Sequence, residues 1–313
     1  MVYGIGFIIV FLRNFNTRIP RNVQQMKLII KNRVLEDFRY FCRLKKQRMK
    51  QAPLILVTND DGIHARGLKK LISVAREKGD VIAISSQEPM SGMSHAITVK
   101  VPLRVKLVKE EPGFRSYLTN GTPVDGVKLV FNSLCDRKPD LLVSGINHGS
   151  NSSSSVLYSG TMAAAMEGAV NHIPSIGFSL LSFDPEADFT AAGRVAGEVI
   201  DQVLEKGLPD GVCLNVNVPA IPGEEIRGIR MCSQANGYWK EEFEKRTDPN
   251  GREYYWLTGF FHNREPDNGG EGTDEWALKN KYVSIVPSHT DLTAYGVLQE
   301  MQSWSFTKIG KHE

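Results

Sequence analysis

From Leu54 onward the chain falls into short apolar runs separated by amphipathic stretches. "LILVTND" (residues 54–60) is β-branched and leaves no polar position to face water, so it predicts a strand buried on both faces. "RGLKKLISVAREKG" (66–79) has helical spacing and ends at Gly79. "DVIAISS" (80–86) is the next buried strand. "GTPVDGVKLVFNSL" (121–134) reads as a helix with Thr122 as N-cap and Pro123 at its first position. "DLLVSGIN" (140–147), "SIGFSL" (175–180) and "CLNVNVP" (213–219) are further strands, with helices at Ser159–Val170 and Phe189–Leu204 between them. Strand alternating with helix at this rhythm implies right-handed crossovers. The expected class is α/β: a Rossmann-like, mostly parallel sheet with helices on both faces.

After Pro219 the rhythm changes. "EIRGIRMCS" (225–233) and "REYYWLTGFF" (252–261) are strand candidates around a polar segment. "EPDNGGEGTDEWAL" (265–278) predicts a mobile loop and then a helical turn, and "YVSIVPSH" (282–289) returns to strand. The chain therefore divides into a catalytic domain over 51–220 and a smaller β-rich extension with an oligomerisation segment over 221–313.

Charge changes the picture at the front. The net charge of +3 hides a split. Twelve Lys and Arg stand against only Glu36 and Asp37 in the first 50 residues, a local +10, while the remainder carries −7. "GIGFIIVFL" (4–12) is far shorter than the roughly 20 residues that span a bilayer. It lacks the flanks of a signal peptide. Residues 1–50 read as a basic appendage, flexible or outside the native fold, or as translated upstream sequence before Met49. No membrane association is expected, and nucleic acid is an unlikely partner for an acidic body. Cys42, Cys135, Cys213 and Cys232 are scattered with no Cys-x-x-Cys pair, which argues against disulfides or thiolate zinc and suits a cytoplasmic location.

No Gly-x-Gly-x-x-Gly follows the first strand, so dinucleotide binding loses its main support, and no Walker A sequence occurs, which removes the P-loop class. In open α/β sheets, ligands sit outside the carboxyl ends of the strands. The first strand delivers Asn59, Asp60 and Asp61 to that edge. The loop after the second carries Ser91, Ser94 and His95; the strand "LLVSG" opens into Asn147 and Asn151; and Ser159-Gly160-Thr161 starts a helix. Singly, each stretch has an ordinary explanation as a turn or an N-cap. Together they place hard oxygen donors suited to Mg²⁺, Mn²⁺ or Ca²⁺ beside a helix start suited to phosphate. Adjacent carboxylates at a buried strand end repel each other unless a cation lies between them. Metal beside an anion cradle points to phosphoryl transfer.

"ILVTNDDGIHARGL", "SGMSHAIT", "NGTPVDGVKL", "SGINHGSN", "YSGTMAAAMEGA" and "SHTDLTAY", in this order, resemble the SurE family of survival-protein nucleotidases, over about Leu54 to Tyr295. The resemblance implies a metal-dependent phosphatase acting on 5′- or 3′-nucleoside monophosphates, with a Rossmann-like fold and a swapped C-terminal extension. It also implies assembly as a homodimer or homotetramer, with one divalent cation per subunit. By resemblance Asp60, Asp61, Ser91 and Asn147 are the metal ligands, Asn151, Ser159, Gly160 and Thr161 contact substrate, and Asp60, Asp61, Asn59, His95 and Asp291 serve catalysis. An activated water is expected to attack phosphorus in line without a covalent phosphoenzyme. Two positions depart from the family pattern. Ser94 stands where many relatives have glycine, and Tyr295 stands where some have histidine. The alternatives are a phosphatase of polyphosphate or sugar phosphates, a nucleotide-binding module without turnover, or an interaction protein anchored by its basic head.

Overall fold

The computed structural model describes residues 52–265 and 270–306; the basic head and residues 266–269 of the acidic, Gly-rich stretch lie outside them. Strand β1 (Leu54–Asn59) is buried at all six positions. Alternate residues serve two separate cores: Ile55 and Val57 face one, Leu54 and Leu56 the other. That is why the run shows no polar alternation.

Helix α1 (Arg66–Arg76) leads to β2 (Asp80–Ser86), and then the chain forms a hairpin, β3 (Val105–Glu111) and β4 (Phe114–Thr119). Helix α2 (Pro123–Leu129) begins with a capping box in which the Thr122 hydroxyl and the Asp125 carboxylate each accept the other's backbone N–H. It runs into a wider turn over Val130–Leu134 before β5 (Leu141–His148). Then follow α3 (Gly160–Val170), β6 (Ser175–Leu180), α4 (Thr190–Lys206) and β7 (Val212–Val218). The extension contributes β8 (Ile229–Met231), β9 (Gly237–Thr247), β10 (Glu253–Asn263), α5 (Asp274–Lys279), β11 (Val283–His289) and α6 (Tyr295–Met301).

Nine strands form one sheet in the order β3-β4-β2-β1-β5-β6-β7-β11-β8. Strands β4, β2, β1, β5, β6 and β7 are mutually parallel, and β3 and β11 run antiparallel to their neighbours β4 and β7. Helices α1 and α4 cover one face, through Leu68, Leu71, Val195 and Val199. Helices α2 and α3 cover the other, through Val127, Met162, Ala165 and Ala169. The α/β class with helices on both faces is as expected. The strand order reverses between β1 and β5, so their carboxyl ends open the crevice where such sheets hold ligands.

Two pieces escaped the hydrophobic pattern. The β3–β4 hairpin stands at the sheet edge, where most of β3 is exposed. Strand β9, "GYWKEEFEKRT", pairs with β10 in a two-stranded ribbon separate from the main sheet. Both faces of that ribbon are largely exposed, so no core enforced an alternating pattern there.

Candidate active site

Asn59, Asp60 and Asp61 leave β1 at the reversal point. Asn59 is fully buried and its amide is committed: Nδ2 donates to the Gly62 carbonyl (2.9 Å) and Oδ1 accepts from the Ser85 hydroxyl (2.7 Å). It holds the turn that turns the two acids outward. Asp60 is buried, and its Oδ1 accepts from the Thr161 hydroxyl of α3 (2.5 Å). Asp61 Oδ2 accepts the backbone N–H of His148 on β5 (3.1 Å). The acidic pair therefore bridges β1, β5 and the start of α3.

The loop after β2 is clipped to this pair, since the Met90 N–H donates to the Asp60 carbonyl (2.7 Å). Ser91, the next residue, is exposed beside that clip. Ser94 adopts a left-handed φ of 51°, the conformation a glycine takes freely. Its hydroxyl donates to the Leu157 carbonyl (2.7 Å) and its N–H to the Tyr158 carbonyl (3.2 Å), which offsets the backbone cost. His95 lies farther along α3, with Nε2 3.2 Å from Glu167 Oε2. Glu167 is buried and also accepts from Lys128 Nζ (2.6 Å). His95 is thus tied to the helix seven residues beyond Gly160, about 10 Å along its axis.

At the end of β5, Asn147 Nδ2 donates to the Gly149 carbonyl (2.8 Å), and its Oδ1 accepts no hydrogen bond among the described residues. Asn151 is held from β7: its N–H donates to Asn217 Oδ1 (2.8 Å) and its carbonyl accepts from Asn215 Nδ2 (2.7 Å). Its own Nδ2 donates to the Ser179 hydroxyl (2.8 Å). Asn215 and Asn217 were missed as site supports, although two asparagines in a strand buried on both faces are a readable signal. The acids of α5 also reach this loop. The buried Asp274 accepts the backbone N–H groups of Ser153 (2.8 Å) and Ala235 (2.9 Å), and Glu275 accepts the Ser152 hydroxyl.

Ser159 caps α3, its hydroxyl accepting the Met162 N–H (3.0 Å). Gly160 and Thr161 follow, and the helix packs with its N-terminus directly on Asp60. Asp291 is elsewhere. Strand β11 runs antiparallel to β7, and His289 pairs with Val212 at the amino end of β7. Asp291 therefore emerges one strand length, about 20 Å, from the carboxyl-end edge of its own chain. There its carboxylate accepts the Tyr295 hydroxyl and the Thr293 N–H, and these bonds hold it down at about 2.

Burial, and then the neighbouring Asp61 charge, push the Asp60 carboxyl up to about 6. Burial raises Asp61 too, against the His148 N–H. No ion pair with a Lys, Arg or His among the described residues offsets either charge. No group of three His, Cys, Asp or Glu that could hold a metal exists among the described residues either. A cation here would be completed by neutral oxygens, and the uncommitted Asn147 Oδ1 fits that need. The donor set is hard, oxygen-only and suited to Mg²⁺ or Mn²⁺.

Successive carboxylates, one against the start of a helix and one on the end of β5, at the reversal point of a doubly wound sheet, mark the ligand edge of an α/β protein. A family model described as "Survival protein SurE" matches residues 55–241, and the chain belongs to the SurE family. It is 52% identical over 258 residues to the 5′-nucleotidase SurE of Christiangramia forsetii, covering 82% of this chain and 98% of that protein. It is 48% identical to the 5′-nucleotidase SurE of Bacteroides fragilis, covering 80% of this chain and 97% of the relative. The crystal structure of the SurE protein from Aquifex aeolicus superimposes with a TM-score of 0.68 at 36% identity, covering 80% of this chain and 98% of that one.

Proposed function

We propose that the chain is a metal-dependent 5′-nucleotidase, hydrolysing nucleoside 5′-monophosphates to nucleoside and phosphate. The observation that carries this reading is the Asp60–Asp61 pair, the first buried under the N-terminus of α3 and the second bound to the end of β5, and the nucleotidase names of relatives matched along nearly their whole length support it.

Asp60, Asp61, Asn147 and Ser91 hold one divalent cation, Mg²⁺ or Mn²⁺. When bound, it neutralises phosphate oxygens and makes water a competent nucleophile at neutral pH. The N-terminus of α3 at Gly160 receives the phosphate at the positive end of the helix, beside the Thr161 N–H that binds the Asp60 carboxylate. Asp60 and Asp61 orient the attacking water, and Asn59 acts by fixing their turn. Asn151 lines the pocket, and His95 orders the loop that carries Ser91.

The assembly is a homodimer or homotetramer. Supporting this are the exposed Phe243, Trp256, Leu257 and Phe260 of the ribbon and Tyr295, Leu298 and Trp304 of the C-terminal segment, more apolar surface than a lone chain ordinarily shows. Asp291 then serves the site of a second copy. No described helix is long and apolar enough to cross a membrane.

The test is phosphate release from a panel of 5′- and 3′-nucleotides, ribose 5-phosphate and polyphosphate, each with Mg²⁺, Mn²⁺ or EDTA. Preference for 5′-nucleotides with loss in EDTA is expected. Turnover of polyphosphate alone, or none of any substrate, overturns the reading.

A further inference from the structure

We infer that Phe183 is the platform on which the nucleobase stacks, at the mouth of the pocket past the end of β6. This deepens the nucleotidase reading and rests on it. Phe183 is 78% exposed, a large apolar ring turned to solvent just past the end of β6. It is not loose. A Cβ built on Gly149 would lie 2.4 Å from the edge of the Phe183 ring, so the ring packs on the bare backbone of that glycine. Gly149 is tied to the site on three sides. Its carbonyl accepts from Asn147 Nδ2 (2.8 Å), and its N–H donates to the Leu180 carbonyl at the end of β6 (2.9 Å). It also directly follows His148, whose N–H binds Asp61. The ring is therefore fixed next to the reacting end of the pocket.

Next to Ser182, the residue before Phe183, opens a crevice of about 520 Å³ lined by Leu180, Ser182, Asp188, Arg194 and Gly223, a size suited to a small organic ligand. It lies outside β6 and β7, one and two strand spacings from β5, or about 5 and 10 Å. A phosphate held beside Asp60 and Asn147 thus lies about one strand spacing from the end of β6, past which Phe183 stands. The exposed Tyr158, just before the Ser159 cap, is the competing ring, and its own variant separates the two.

Stacking on an aromatic face is tolerant of base identity and is worth on the order of tenfold in binding. The experiment measures KM for AMP, GMP and CMP against KM for ribose 5-phosphate, which has the same phosphoester but no base, in wild type, Phe183→Ala, Phe183→Tyr and Tyr158→Ala, with folding checked by thermal melting. The expected result is that Phe183→Ala raises the nucleotide-to-ribose-phosphate KM ratio about tenfold, and that Phe183→Tyr restores it. A ratio unmoved by Phe183→Ala, equal losses on both substrate types, or a ratio moved only by Tyr158→Ala overturns the assignment. A wild type that turns over ribose 5-phosphate but no nucleotide refutes the nucleotidase reading itself, a result distinct from these.

Discussion

Gly160 leaves no room for a side chain against Asp60: a Cβ there would stand 2.9 Å from both the Asp60 Cβ and its Oδ2. The helix N-terminus and the carboxylate are in direct contact, so the anion cradle and the proposed cation site share a wall.

Gly160→Ala therefore forces either α3 or Asp60 to move. Overpacking of this kind costs about 2 kcal/mol, and a displaced reacting group costs about a hundredfold in rate. The expected outcome is a folded protein with a lowered Tm and kcat/KM reduced at least tenfold. Normal kinetics would show that the contact between Gly160 and Asp60 has no part in catalysis.

The Asp60 carboxyl carries a second consequence. Its proton is held up to about 6 in the native state, against 3.8 when exposed, so the metal-free native protein binds that proton more tightly than the unfolded chain does. The stability it contributes is present in acid and is lost as pH rises from about 4 to about 6, a cost of about 3 kcal/mol at neutral pH. In EDTA at pH 7, Asp60→Asn should melt higher than wild type while its kcat falls at least a hundredfold. Urea titrations at pH 4 and pH 7 check the sign: the difference between variant and wild type should shrink in acid.

Mg²⁺ or Mn²⁺ should reverse that neutral-pH deficit without any substrate present. A ligand at a hundred times its Kd stabilises by about 2.7 kcal/mol, visible as a rise in Tm of the EDTA-stripped protein on adding back metal. Asp61→Asn should abolish the rise. A wild-type Tm indifferent to both cations would leave the carboxylate pair without a cation.

Asp274 makes a prediction remote from the chemistry. It is fully buried and accepts three backbone N–H groups, from Ser153, Ala235 and Glu275. Asp274→Ala strands these donors, each worth about 1 kcal/mol or more when left unpaired in the interior. Loss of about 3 kcal/mol is expected in urea unfolding, together with a raised KM, because Ser153 closes the loop that carries Asn151.

Much of this was legible in the chain. Strands buried on both faces must be apolar throughout, so β1, β2, β5 and β6 announced themselves, and polar residues at their ends had only the ligand edge to serve. Asp60, Asp61, Asn147 and Gly160 were found by that logic and do converge. What sequence periodicity does not encode is support from afar. Asp274 reaches Ser153 across 121 residues and Asn217 reaches Asn151 across 66, and nothing local fixes either pairing. Strand β9 stayed hidden for a related reason, because a ribbon exposed on both faces has no core to impose alternation on it.

Asp291 gives the last prediction. It lies in the stretch "SHTDLTAY", which resembles the family, yet the antiparallel course of β11 sets it down at the opposite sheet edge from Asp60 of the same chain. If it serves catalysis, it does so in a second copy, and the two acids can then be separated genetically. Asp60→Asn and Asp291→Asn proteins, each weakly active alone, are unfolded together, refolded as a mixture and assayed. In a mixed pair, the subunit with an intact Asp60 receives an intact Asp291 from its neighbour. For random two-fold pairing, half of the assemblies are mixed and each has one working site, so activity should recover to about a quarter of wild type. No recovery means that both acids act within one chain, against the strand direction. Full activity of Asp291→Asn by itself means that the residue only pairs with Tyr295 and Thr293.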